Sequence, residues 1–262
     1  MLILLMSLLR LYIGKWDDFV RYKITFSYDG SKYNGYQKQK GIDNTIQGKI
    51  EEALKEINNN KDTKFTSSGR TDKGVSAYKQ VGSCDIGVNI TPYKLKRAMN
   101  SRLHDSIHII EVEEVNDEFH PRYMLKEKTY IYKVNIGEYN PIEKDYVCQL
   151  CKTVNIDVMR DEIKDFIGEH DFSAFCSNQD KKENCVRTIF DASIEKDNNY
   201  IIFSFTGNGF LKYMVRVMCG YLISVGLNKQ EKGRIKEYFK TKQKVTTKTA
   251  VATGLYLKDI KY

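Results

Sequence analysis

Apolar residues change their spacing from two to three or four and back, in the same order twice along the chain. An alternating, strand-like segment over 22–28 precedes a helical one over 45–57. There Ile46, Ile50, Ala53, Leu54 and Ile57 fall on one face. Strand-like segments follow over 64–68 and 78–86. Thr91-Pro92 then opens a second helix, with Thr91 as N-cap and Pro92 at the first helical position. Leu95, Met99 and Leu103 are expected to face inward, and 107–115 reads as a strand. The second half repeats the order. It has a strand over 128–136, a helix over 158–167 stopped by Gly168, and a hairpin of 187–195 and 200–206. An apolar helix over 210–225, a short basic helix and a strand over 254–260 complete it.

This double β-α-β-β-α-β order predicts an α+β protein of two ferredoxin-like halves with antiparallel sheets and a cleft between them. We place the N-terminal half at 21–115 and the C-terminal half at 116–262, with a linker over 116–125. Residues 1–20, which open with an apolar run over 1–13 broken by Arg10, are expected to be an extension before the fold. That run is too short for a membrane span and lacks a signal peptide's basic start and cleavage site. Fold alone does not decide function, because such halves build RNA-binding modules and many enzymes.

The net charge is +8, which fits a polyanionic partner or a lysine-rich soluble surface. The surplus is concentrated. Between 228 and 248 lie Lys229, Lys232, Arg234, Lys236, Lys240, Lys242, Lys244 and Lys248 against Glu231 and Glu237, an excess of six. Such a stripe attracts phosphates. Six cysteines are scattered through the chain, so a disulfide framework is not expected. Cys148, Cys151, Cys176 and Cys185 could supply zinc thiolates, but they lack a second tight pair, and no metal is expected.

The chemistry-bearing stretch is Ser68-Gly69-Arg70-Thr71-Asp72-Lys73-Gly74-Val75, a short connection between two expected strands. Two glycines let the backbone bend and present a carboxylate. Read locally, without further context, it is better taken as an ordinary hairpin turn whose Asp makes a local hydrogen bond. Aspartic-protease loops, a Walker A stretch, His-Glu-x-x-His, a dinucleotide fingerprint and the zinc deaminase pattern are absent from the sequence.

The wider context resembles the TruA family of tRNA pseudouridine synthases. The Asp72 stretch, through Ser76 and Ala77, resembles the family's signature. Tyr28-Asp29-Gly30-Ser31-Lys32-Tyr33-Asn34-Gly35-Tyr36-Gln37 is similar to its opening block. Phe119-His120-Pro121-Arg122-Tyr123 and Lys128-Thr129-Tyr130-Ile131-Tyr132 match its middle. Gly168-Glu169-His170-Asp171-Phe172, Val186-Arg187-Thr188-Ile189, Gly209-Phe210-Leu211-Lys212-Tyr213-Met214-Val215-Arg216 and Gly254-Leu255-Tyr256-Leu257 follow in family order. Most bacterial members carry His at Ser76, Trp at Tyr36 and Pro near Val251.

The resemblance implies the pseudouridine synthase fold and isomerisation of uridines 38, 39 and 40 in the tRNA anticodon stem-loop by a cytoplasmic homodimer. No cofactor, metal or membrane partner is implied. Asp72 becomes the catalytic carboxylate, Arg216 the cation that keeps it charged, Tyr130 the ring that stacks on the base, and Arg70 the residue that fills the space of the extruded uridine. Without the resemblance, Arg216 reads as a solvent-facing helix position and Tyr130 as a half-buried strand aromatic. Whether the carboxylate adds to the base, adds to C1′ or promotes elimination stays open. Two alternatives stand beside this reading. One is the same chemistry on another tRNA or rRNA uridine. The other is a non-catalytic RNA-binding protein, although no RNP motif is present.

Overall fold

A computed structural model describes residues 19–177 and 184–262. The expected N-terminal extension lies outside the described residues except for positions 19 and 20. The first half contains β1 (Val20–Tyr28), α1 (Ile46–Ile57), β2 (Thr66–Ser67), β3 (Ser76–Ile86), α2 (Pro92–Asn100) and β4 (Ile107–Val115). The second contains β5 (Glu127–Asn135), β6 (Cys148–Gln149), α3 (Ile156–Glu162), β7 (Gly168–Asp171), β8 (Val186–Asp197), β9 (Tyr200–Gly207), α4 (Met214–Gly226), α5 (Ile235–Thr241) and β10 (Leu255–Lys261).

The helix signals act as their chemistry requires. Thr45 and Thr91 each accept a backbone N–H three residues on, capping α1 and α2. Ile46, Ile50, Ala53 and Leu54 are buried, as are Leu95 and Met99. Leu103 lies beyond the end of α2 and is only partly buried.

The two halves do not form two sheets. The strands run β4-β1-β3-β10-β5-β9-β8-β7 in one sheet, with β2 added to β3 and β6 to β5. Within each half the neighbours β1/β3, β1/β4, β5/β9, β5/β10 and β8/β9 are antiparallel. The joint is a short parallel pairing, Tyr256 with Ser76 and Leu257 with Ala77. It lies at one end of β3, whereas β2, expected over 64–68, pairs for only two residues near the other, opposite Ser83 and Gly82.

Two helices are shorter than their apolar patterns. The segment expected helical over 158–167 tightens into a 3-10 turn at Ile163–Phe166, which buries both of those side chains. Gly168 then opens β7, which covers an edge of β8 that would otherwise stay unpaired. The helix expected from 210 starts at Met214, because Tyr213 has φ 66°, a left-handed conformation that stops helix propagation towards Phe210.

Candidate functional site

Residues 68–75 leave the sheet at the joint, where β2 ends and β10 takes over β3's edge. The segment after β1 backs them. The Tyr36 N–H donates to the Thr71 carbonyl (3.2 Å), and the Tyr28 and Thr71 hydroxyls are hydrogen-bonded at 2.9 Å. The Gly30 N–H donates to the Ser76 hydroxyl (2.9 Å). A Cβ at Gly30 would sit 1.9 Å from the Val75 carbonyl oxygen, so only glycine permits this approach. The Val75 N–H closes the turn on the Asp72 carbonyl (3.2 Å). Asp72 is thus presented on a loop held from behind.

Arg216 comes to it from the other half, 144 positions along the chain. Its Nη1 donates to Asp72 Oδ2 at 3.1 Å. The side chains are 17% and 25% exposed, so the pair is largely withdrawn from water yet open to a ligand. Arg216 Nε donates to the Ala250 carbonyl at 2.8 Å, and the Ala250 N–H returns a bond to the Arg216 carbonyl at 3.0 Å. The guanidinium also lies 5.0 Å from the Tyr213 ring centre. Its two edges therefore have fixed partners, and the solvent-facing reading of this helix position does not hold.

Tyr130 is buried on β5, with its ring edge-on to Phe210 at 5.1 Å. Burial raises its phenol above the usual pKa, with smaller contributions from Tyr28 and the Asp72 charge. The phenol stays protonated, and it lies near enough to Asp72 to feel its charge. Burial likewise pushes the Tyr28 phenol up to about 12, against hydrogen bonds from Thr71 and Gln80 that lower it. Arg70 is exposed on the rim. Its Nη1 donates to Gln37 Oε1 at 2.7 Å, away from the Asp72–Arg216 pair.

The structure thus brings Asp72, Arg216 and Tyr130 together and leaves Arg70 at the edge. Reasoning from sequence did not assign Tyr28, Thr71 or Phe210, which hold or line the cleft. Tyr28 and Phe210 stood inside the family-like blocks, and that was their only signal. The lysine stripe is partly used up inside the fold. Lys236 pairs with Asp165 (3.1 Å), Lys242 with Asp171 (2.7 Å) and Arg234 with Glu237 (3.0 Å), while Lys244 donates to the Cys176 carbonyl. Lys229, Lys232, Lys240 and Lys248 make no ion pair among the described residues. No group of three or more His, Cys, Asp or Glu among the described residues is arranged to hold a metal. No described helix is long and apolar enough to cross a membrane.

Comparison with known proteins now bears on this cleft. A sequence model of the tRNA pseudouridine synthase family matches residues 24–124 and 163–262. A protein named tRNA pseudouridine synthase A from Streptococcus agalactiae serotype Ia is 42% identical over 92% of this chain and 95% of its own length. One from Streptococcus uberis is 41% identical, covering 92% of this chain and 98% of its own. A Bacillus cereus protein named tRNA pseudouridine synthase A 2 is 37% identical, covering 92% and 99%. The solved structure of a Cbf5-Nop10-Gar1 complex overlaps loosely, with a TM-score of 0.32 at 13% identity over 66% of this chain and 38% of that one. The class defined by the cleft and the matches is an RNA-modifying isomerase. The chain belongs to the tRNA pseudouridine synthase family.

Proposed function

We propose that this protein isomerises uridine to pseudouridine at positions 38, 39 and 40 of the tRNA anticodon stem-loop, with Asp72 attacking an extruded uridine. The observation that carries this reading is the Asp72–Arg216 pair, a carboxylate and a guanidinium from opposite halves meeting in a partly dry cleft. The reaction breaks the C1′–N1 bond and forms a C1′–C5 bond. The C5 proton leaves and N1 ends protonated, so composition and oxidation state are unchanged and no redox cofactor is called for.

Each neighbour then has a task. Arg216 pairs with the Asp72 carboxylate and aims it. Tyr130 stacks against the uracil, its protonated phenol adding no negative charge beside Asp72. Arg70, on the rim, enters the space of the extruded base. Unpaired lysines of the 228–248 stripe contact phosphates. We further assign 21–115 and 116–262 as two subdomains of the shared sheet, and a cytoplasmic homodimer as the working form. Asp72→Asn protein should bind tRNA and form no pseudouridine, whereas full activity in that variant would end the assignment.

A second reading keeps the chemistry and moves the target to another tRNA or rRNA uridine. Two departures from the family pattern favour it, because Tyr36 and Ser76 both back the Asp72 loop. Mapping pseudouridines in cellular RNA with and without the protein separates the two.

A further inference from the structure

Lys128 is a lysine where none would be expected. It lies on β5, 9% exposed, and among the described residues it has no carboxylate partner. Its ammonium carries three donors, yet the only acceptor it has among those residues is the Ser68 carbonyl, at 2.8 Å. Burial first, and then the Arg122 charge, push its pKa down to about 8. A buried, unpaired cation works against folding, so a methionine of similar shape would pack there more favourably.

Its surroundings show what the ammonium holds. Ser68 and Gly69 are the stem from which the Asp72 loop springs. A Cβ at Gly69 would lie 2.5 Å from Lys128 Nζ, so the ammonium sits directly against a bare backbone. The Gly69 carbonyl accepts from Gln80 Nε2 (3.2 Å) and from the Ser67 hydroxyl (3.0 Å), and the Ser68 N–H donates to the Val81 carbonyl (2.9 Å). All of those bonds tie the stem to its own half. Lys128 ties it to β5 in the other half. Lys128 and Tyr130 are two residues apart on one strand and project to the same face.

We infer that Lys128 is a positioning residue that indexes the stem of the Asp72 loop to the strand carrying Tyr130. The inference rests on the proposed role of Asp72. Arg216 grips the loop at the carboxylate, and Lys128 fixes it four residues earlier. Between them they set the distance from carboxylate to stacked base across the joint.

The test uses the full chain and tRNA under single-turnover conditions. Lys128→Met should leave tRNA affinity unchanged and melt no lower than wild type, while the rate of pseudouridine formation falls about 10- to 100-fold, the usual effect of a misplacement near 1 Å. Gly69→Ala, which leaves the lysine in place and forces its Nζ away, should show the same split. In a Lys128→Ala background the added Cβ has room, so the double variant should be no slower than Lys128→Ala alone. A wild-type rate in Lys128→Met overturns the inference. So do additive losses in the double variant, or a parallel loss of rate, affinity and melting temperature. An inactive Asp72→Asn beside a fully active Lys128→Met removes the role of Lys128 only. An active Asp72→Asn removes the reading of Asp72 itself.

Discussion

Replacing Arg216 with methionine keeps an unbranched apolar stem and removes both of its directed bonds. The bond to Asp72 is charge-assisted at 3.1 Å, in a site only 17% and 25% exposed. Such bonds contribute roughly 1.5–3 kcal/mol, which at about 1.4 kcal/mol per decade is a rate loss of roughly 10- to 150-fold if Asp72 reacts. The second bond, to the buried Ala250 carbonyl, leaves an acceptor unpaired when lost and costs about 1–2 kcal/mol of stability. A chain of this size should melt lower by about 2–8 °C in consequence. Because the C5 proton leaves in the reaction, release of tritium from tRNA carrying 5-tritiated uridine reads the chemical step directly. It should be followed in a single turnover at a temperature where the variant is fully folded. Arg216→Lys keeps the charge but cannot serve Asp72 and Ala250 with two rigid edges, and should fall between. A folded Arg216→Met protein that releases tritium at the wild-type rate would refute the reasoning, since Arg216 is the one ion-pair partner of Asp72 among the described residues.

Three further outcomes concern the lysines. The folded-state pKa of Lys128, about 8, lies below its ordinary 10.5, so between those values the unfolded chain binds more protons and stability rises with pH. Lys128→Met should therefore exceed wild type by up to about 3 kcal/mol below pH 8, and the advantage should vanish as pH passes 10.5; denaturant titrations across that range check it. Replacing Lys229, Lys232 and Lys240 with alanine should weaken tRNA binding and flatten its dependence on salt, measured by filter binding. Replacing Lys242, which pairs with Asp171, should change stability more than the salt slope.

The local elements were the legible part of the sequence. Thr45, Thr91 and Pro92 carry their instructions in their own chemistry and mark where α1 and α2 begin. The failures share a cause. Residues 210–213 have helical apolar spacing, but Phe210 turns to meet the Tyr130 ring and Tyr213 adopts a left-handed backbone to do so. Periodicity cannot see a partner on another strand. The pairing of β3 with β10 was likewise invisible, because it joins residues far apart in the chain. Within the site, nothing local links Asp72 to Arg216; the pairing was available only through resemblance to a family. Lys128 was hidden for the opposite reason. A lysine on a strand reads as solvent-facing, and only the loop folded over it makes it buried.

The parallel joint between β3 and β10 has a consequence for timing. Ser76 and Ala77 acquire their β10 partners only when residues 256 and 257 have been made. A chain emerging from a ribosome completes the first half and most of the second before that seam can close. β10, which joins the half carrying Asp72 to the half carrying Arg216, is therefore made after both of those residues. On the proposed role of Asp72, a chain truncated before residue 256 that folds locally should therefore form no pseudouridine.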